Sequence, residues 1–239
     1  MYGWRAKIGR ISPSPETVGA EEWRRALPDG ACLVETRTLV HDVTVEGLAE
    51  TVKQVERAAA ELASAEVDVI LHAGTAIAFF RGFGHDQELS RRITAATGIK
   101  ATTSLTAVVE ALRAVQVKRL AVATSYISEI DSRLVDVLEK SGFQIAAIRG
   151  MGLTKSIDMG KVAPEETYRF TKEVARSAPN AEAIFISCGN LRSFEVIEAL
   201  ETDTGLPVIT SNQAGLWQAL RLAGLKDRIG ALGRLLRDH

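Results

Sequence analysis

Short runs of β-branched and apolar residues alternate with longer amphipathic stretches along nearly the whole chain, and this restricts its fold more than any other feature. The pattern is that of parallel strands joined by crossover helices, so the class is α/β. Strands are expected near Ala6–Ser12, Ala31–Thr38, Val67–His72, Ala101–Thr103, Arg119–Thr124, Gln144–Gly150, Ala183–Ser187 and Val208–Thr210. The clearest helix is expected over Glu46–Ser64. There Leu48, Val52, Val55, Ala59 and Leu62 recur at three- and four-residue spacing, and Thr44 stands where an N-cap belongs. The last stretch, Arg228–His239, reads as a charged surface helix.

The chain also resembles itself. Val67–Thr75 and Glu182–Asn190 are both apolar strands that end in a turn of small residues. Gly98–Ala107 (GIKATTSLTA) and Gly205–Ala214 (GLPVITSNQA) share Gly, Thr, Ser and Ala in register, and Ala111-Leu112-Arg113 returns as Ala219-Leu220-Arg221. We therefore expect two pseudo-symmetric four-stranded parallel α/β lobes, residues 1–115 and 116–239, with chain crossing between them and a cleft where they meet.

Charge and composition exclude several functions. There are 29 basic and 30 acidic side chains and no Lys/Arg cluster, which argues against a nucleic-acid partner. The apolar runs are far shorter than the ~20 residues that span a bilayer, and no hydrophobic segment follows Arg5 and Lys7, so neither a membrane nor a secretory role is expected. Cys32 and Cys188 form neither a disulfide framework nor a metal spacing, and a cytoplasmic location is the default. His41, His72, His85 and His239 show no metal-ligand spacing, so no metal is expected, and no cofactor fingerprint is present.

In parallel sheets, ligands bind beyond the carboxyl ends of the strands. Four such ends carry hydroxyls or small residues: Ser12-Pro13-Ser14-Pro15, Gly74-Thr75-Ala76, Thr124-Ser125-Tyr126 and Ser187-Cys188-Gly189-Asn190. Free amides at helix starts favour anions, and a small carboxylate suits them better than a phosphate, whose glycine motifs are missing. Cys188 is either a reactive thiol, its pKa lowered by a helix ahead of it, or a packed core residue. Cys32, which opens an apolar strand, reads as packing. His72 is expected to be a satisfied core side chain, while His41-Asp42 is either a ligand contact or a solvated loop pair. Most carboxylates are expected at solvated helix positions.

Taken together, Gly74-Thr75-Ala76-Ile77-Ala78-Phe79-Phe80-Arg81-Gly82, Thr106-Ala107-Val108, Ala111–Ala114, Ala123–Ile127, Ser187-Cys188-Gly189 and Pro207–Gly224 resemble the arylmalonate decarboxylases. These belong to the aspartate/glutamate racemase superfamily, with the maleate cis–trans isomerases and hydantoin racemases. The resemblance implies a cofactor-free lyase acting on disubstituted malonates. One carboxylate would be held by Thr75, the Ala76 amide, Tyr126 with its neighbour Ser125, and the backbone of Gly74 and around Cys188 and Gly189. The other would lie in an apolar pocket of Val40, Val43, Leu48 and Met159, with Pro13 or Ser14 lining the same cleft. Loss of CO₂ would leave an enediolate that Cys188 protonates. At position 74 the racemases and isomerases carry a second cysteine, and its absence favours decarboxylation. Ala76 replaces a serine hydroxyl, and Ser156, beside Asp158, makes the departing-carboxylate pocket more polar. The alternatives are a racemase or maleate isomerase using one thiol, and a catalytically silent carboxylate-binding homologue. The expected partner is a small carboxylate. Oligomeric state is left open.

Overall fold

Eight strands form two parallel sheets in a computed structural model that describes residues 2–40 and 42–239. His41 lies outside the described residues. The first sheet holds β1 (Ala6–Pro13), β2 (Ala31–Thr38), β3 (Val69–His72) and β4 (Lys100–Thr103) in the order β2-β1-β3-β4. The second holds β5 (Arg119–Thr124), β6 (Gln144–Gly150), β7 (Ala183–Ser187) and β8 (Val208–Thr210) in the order β6-β5-β7-β8, the same order moved on by four strands. Every pairing is parallel. The inner strands β1, β3, β5 and β7 are buried along nearly their whole length, as sheets covered on both faces require.

Helices fill the crossovers. They are α1 (Gly19–Ala26), α2 (Val45–Val52), α3 (Val55–Ser64), α4 (Thr75–Phe79), α5 (His85–Thr97) and α6 (Ser104–Ala114), then α7 (Ser128–Lys140), α8 (Ser156–Met159), α9 (Pro164–Arg176), α10 (Ile197–Thr204), α11 (Ser211–Leu222) and α12 (Gly233–Asp238). Helix α11 from the second half packs on α6 and β3 of the first, which joins the two halves through one apolar core. None of these helices is long and apolar enough to cross a membrane.

The repeated segments explain the doubled topology. Gly98 and Gly205, with φ of 73° and 72°, close α5 and α10 in the left-handed conformation that glycine adopts freely. Five residues later Thr103 and Thr210 cap α6 and α11, each hydroxyl accepting from the amide three residues on at 3.1 Å. At Thr210 the Gln213 side chain also accepts from the cap's own amide at 3.1 Å, completing a capping box.

The helix expected over Glu46–Ser64 is two helices, α2 and α3. The break falls where Gln54 turns to the end of β2, with Leu39 N–H donating to Gln54 Oε1 at 2.9 Å and Gln54 Nε2 donating to the Leu39 carbonyl at 3.2 Å. The Thr44 cap is present, accepting from the Gly47 amide. The C-terminal stretch is not a surface helix either. Leu232, Leu235 and Leu236 are buried, and Gln213 Nε2 donates to the Leu232 carbonyl at 2.7 Å. His72 is fully buried, yet neither ring nitrogen has a partner, and burial holds its pKa down at about 4, so the ring is neutral. Several carboxylates are buried rather than solvated. Glu22 accepts from the amides of Ser193 and Phe194 at 2.7 and 2.9 Å and from Asn212 Nδ2 at 2.6 Å, which ties α1 to the β7 loop.

The two caps are unequal. Thr210→Ala is expected to destabilise by about 1–2 kcal/mol and Thr103→Ala by about 1 kcal/mol or less in urea unfolding, because only the former lies in a capping box.

Candidate active site

In the order β2-β1-β3-β4 the chain turns one way from β1 and the other way into β3, so a crevice opens beyond the carboxyl ends of these two strands. The same holds for β5 and β7. One narrow cavity collects all four ends, lined by Pro13 after β1, Gly74, Thr75 and Ala76 after β3, Tyr126 after β5, and Cys188 and Gly189 after β7. Loops and short helices close it with Val40, Val43, Leu48, Ile77, Ser156, Met159, Glu16 and Asn190.

The polar wall is built of hydroxyls. Thr75, 1% exposed, opens α4 and donates through Oγ1 to Ser211 Oγ at 2.7 Å. The first amides of α4 have no acceptor within the helix. Tyr126 is buried with its ring edge-on to Phe79, centroids 6.1 Å apart. Burial and the nearby Cys188 push its phenol well above the ordinary tyrosine range, while the Ser187 and Thr75 hydroxyls beside it pull the other way. The buried Ser187 and Ser125 hydroxyls have no hydrogen-bond partner of ordinary geometry. Buried hydroxyls without partners are rare, and these two lie directly behind the cavity wall, next to Cys188 and Tyr126.

Gly74 sits at φ 96°, and a Cβ there would meet Ile77 Cδ1 at 2.6 Å and Pro13 Cγ at 3.2 Å. Glycine therefore fits twice over, by conformation and by space. A cysteine at this position would be strained.

Cys188 corrects an expectation. No helix starts at it: the chain runs on as a loop to a 3₁₀ turn at Phe194–Val196. With no helix N-terminus to favour the anion, burial dominates and pushes the thiol up to about 11. The Ser125 hydroxyl and the Asn190 amide, which donates to Sγ at 3.3 Å, only partly oppose this. Sγ also lies 3.7 Å from Met159 Sδ. At neutral pH both Cys188 and Tyr126 keep their protons.

The apolar wall consists of Val40, Val43, Leu48, Ile77 and Met159, all buried. Ser156 borders it, but its carbonyl and hydroxyl accept from Asn190 Nδ2 at 2.7 and 3.3 Å. Asp158 turns away to Lys161. Ser14 does not line the cavity, because its hydroxyl accepts from the Val40 amide at 3.1 Å; Pro13 takes the lining position. Ser125 lies behind the cysteine rather than on the cavity surface.

Sequence reasoning missed Glu16 and gave no role to Asn190, which it placed at a candidate strand end, or to Ile77. Asn190 Oδ1 accepts from the amides of Thr17 and Val18 at 2.9 and 3.2 Å, so one side chain staples three loops. Glu16 Oε1 accepts from Arg10 Nη2 at 2.5 Å, and both side chains are buried. Ile77 was quoted only as part of a longer run. A carboxylate beside a strand end, in Ser14-Pro15-Glu16, is the signal that points to Glu16.

A family model described as arylmalonate decarboxylase matches residues 29–236. An arylmalonate decarboxylase of Bordetella bronchiseptica is 32% identical over 233 residues, covering 97% of this chain and 96% of that protein. A maleate isomerase of Nocardia farcinica is 30% identical over 209 residues, 85% and 82% of the two chains. Among solved structures, a double mutant of arylmalonate decarboxylase in the liganded form superposes with a TM-score of 0.91 at 30% identity, covering 98% of this chain and all of that one. A mutant Nocardia farcinica maleate cis–trans isomerase with a covalently bound succinylcysteine intermediate does so at 0.92 and 27% identity, covering 98% and 99%.

The raised thiol pKa has a direct readout. In a Cys32→Ser variant, the ultraviolet thiolate band of Cys188 is expected to appear only above about pH 9, on the way to its midpoint near 11, and alkylation by iodoacetamide to be slow at neutral pH.

Proposed function

The chain belongs to the arylmalonate decarboxylase family, and from that premise we propose that it is a cofactor-independent carboxy-lyase acting on disubstituted malonates. The observation that carries this reading is a single buried, protonated thiol facing a wall of proton-bearing donors, with glycine where a second thiol would have to stand.

The steps follow from the two walls. The retained carboxylate lies against the Tyr126 hydroxyl, the amides of Ala76 and Gly189, and the Thr75 hydroxyl, whose proton turns to it from Ser211 Oγ while Ser211 donates to Thr75 in its place. The departing carboxylate lies against Val40, Val43, Leu48, Ile77 and Met159. There it loses its water shell, an effect whose description as ground-state destabilisation is contested. Its C–C bond electrons pass to the α-carbon and the retained carboxylate as CO₂ leaves. The resulting enediolate carries two negative charges, and preorganised donors are worth most where charge grows. Cys188 then gives its proton to the α-carbon, and the thiolate regains one from solvent.

The pKa of Cys188 agrees with this order of events. A thiol near 11 is a poor nucleophile at neutral pH, but it is an acid strong enough for a carbanion and it holds its proton until one forms. A maleate isomerase is the second reading, favoured by the 30% identical relative of that name. Strain at position 74 weighs against any version of it that needs a thiol there.

Replacing Cys188 with Ala is expected to lower formation of the monoacid from 2-methyl-2-phenylmalonate at least a thousandfold, with the thermal unfolding transition retained; near-normal turnover would refute the role. Tyr126→Phe and Thr75→Val should each lower kcat by about 10²-fold, the effect of one oxyanion donor. Maleate turnover without CO₂ release by the unaltered protein would establish the isomerase instead.

A further inference from the structure

Neither the donor wall nor the apolar wall accounts for Glu16. It is 2% exposed, lines the same cavity as Cys188, and binds Arg10 through one oxygen only. Among the described residues nothing hydrogen-bonds to Oε2, and a methyl group placed on Gly189 would lie 3.6 Å from it. Arg10 lies beneath the cavity and cannot turn away, being itself 1% exposed and bonded to Ser12 Oγ at 2.5 Å. It therefore fixes the direction in which the second oxygen of Glu16 faces. Beside it Asn190 has spent both ends of its amide on Thr17, Val18 and Ser156, so it supplies no donor to Glu16.

A carboxylate oxygen in this position is an acceptor waiting for a donor, and an alkyl or aryl group placed against it would leave it buried without one. We propose that Glu16 is a specificity residue, and that the substrate is a malonate whose second substituent carries a hydroxyl or ammonium group bound by Glu16 Oε2. The assignment rests on the decarboxylase reading for its substrate class. It extends that reading by giving the cavity a third, acidic wall. Burial, the largest influence, holds the Glu16 pKa above the ordinary carboxylate range, with Glu35 adding to it and Arg10 and Arg37 opposing it.

The test uses 2-phenylmalonates that differ only in the second substituent: ethyl, hydroxymethyl or aminomethyl, groups of nearly equal size. A site built to accept a hydrogen bond rejects the analogue that lacks the donor. For the unaltered protein, kcat/KM for the hydroxymethyl and aminomethyl compounds is expected to exceed that for the ethyl compound by at least about tenfold. In Glu16→Gln the amide oxygen can still accept from Arg10, which protects the fold, but the NH₂ then faces the cavity as a donor. The preference should fall to within about threefold or reverse. Equal rates or a preference for ethyl in the unaltered protein would overturn the assignment, as would an unchanged preference in Glu16→Gln. If no compound releases CO₂, the decarboxylase reading fails separately. Thermal stabilisation by the same three compounds then decides on Glu16, with the same order expected and an absent order overturning it.

Discussion

Burial of protons at the edge between two parallel sheets is the constraint on which this molecule turns. A parallel strand ends by leaving its last polar groups beyond the ladder, and four inner strands here deliver theirs to one narrow space. Water is largely excluded, so Cys188 and Tyr126 are held as neutral donors rather than as anions. That dryness extends to the Ser125 and Ser187 hydroxyls behind the wall, which have no hydrogen-bond partner of ordinary geometry. In the proposed reaction a ligand with negative charge is met instead by the Thr75 and Tyr126 donors on the wall, and the charge that grows during loss of CO₂ is met more strongly.

The rest of the architecture holds these groups still. Thr75 leans on Ser211 from the opposite half, Asn190 ties three loops together, and Glu22 fastens α1 to the loop that carries Cys188. Each contact joins residues far apart in the chain, so the position of the thiol depends on the meeting of both halves. The Arg10–Glu16 pair adds a fixed polar group beside the reacting space. A buried pair of this kind is weak evidence for stability, since desolvation offsets most of its attraction. Its place in the cavity wall gives it a different use, in choosing the substrate.

Much of this was legible in the residues. Alternation of apolar runs with amphipathic stretches marked all eight strands within about two residues, and the repeat from Gly98 and from Gly205 pointed to two four-stranded parallel sheets. The resemblance carried by Gly74-Thr75, Tyr126 and Cys188-Gly189 named residues that the fold does gather into one cavity. What failed depended on distant contacts. Gln54 bonding to Leu39 breaks a helix whose periodicity looks continuous. The loop after Cys188 removes the helix dipole expected to lower its pKa, and burial by residues from elsewhere raises it instead. Ser14 and Glu16 are two residues apart, and only the folded loop decides that the serine caps Val40 while the glutamate faces the cavity.

In the proposed mechanism one thiol delivers one proton to one face of an enediolate. That step is tested most directly by turning over 2-methyl-2-phenylmalonate in D₂O and examining the 2-phenylpropanoate formed. A single enantiomer carrying one deuteron at the α-carbon is the expected product, and it should not racemise on prolonged incubation, because no second thiol faces the other side. A racemic product would contradict the account, as would progressive loss of optical purity under the enzyme's action.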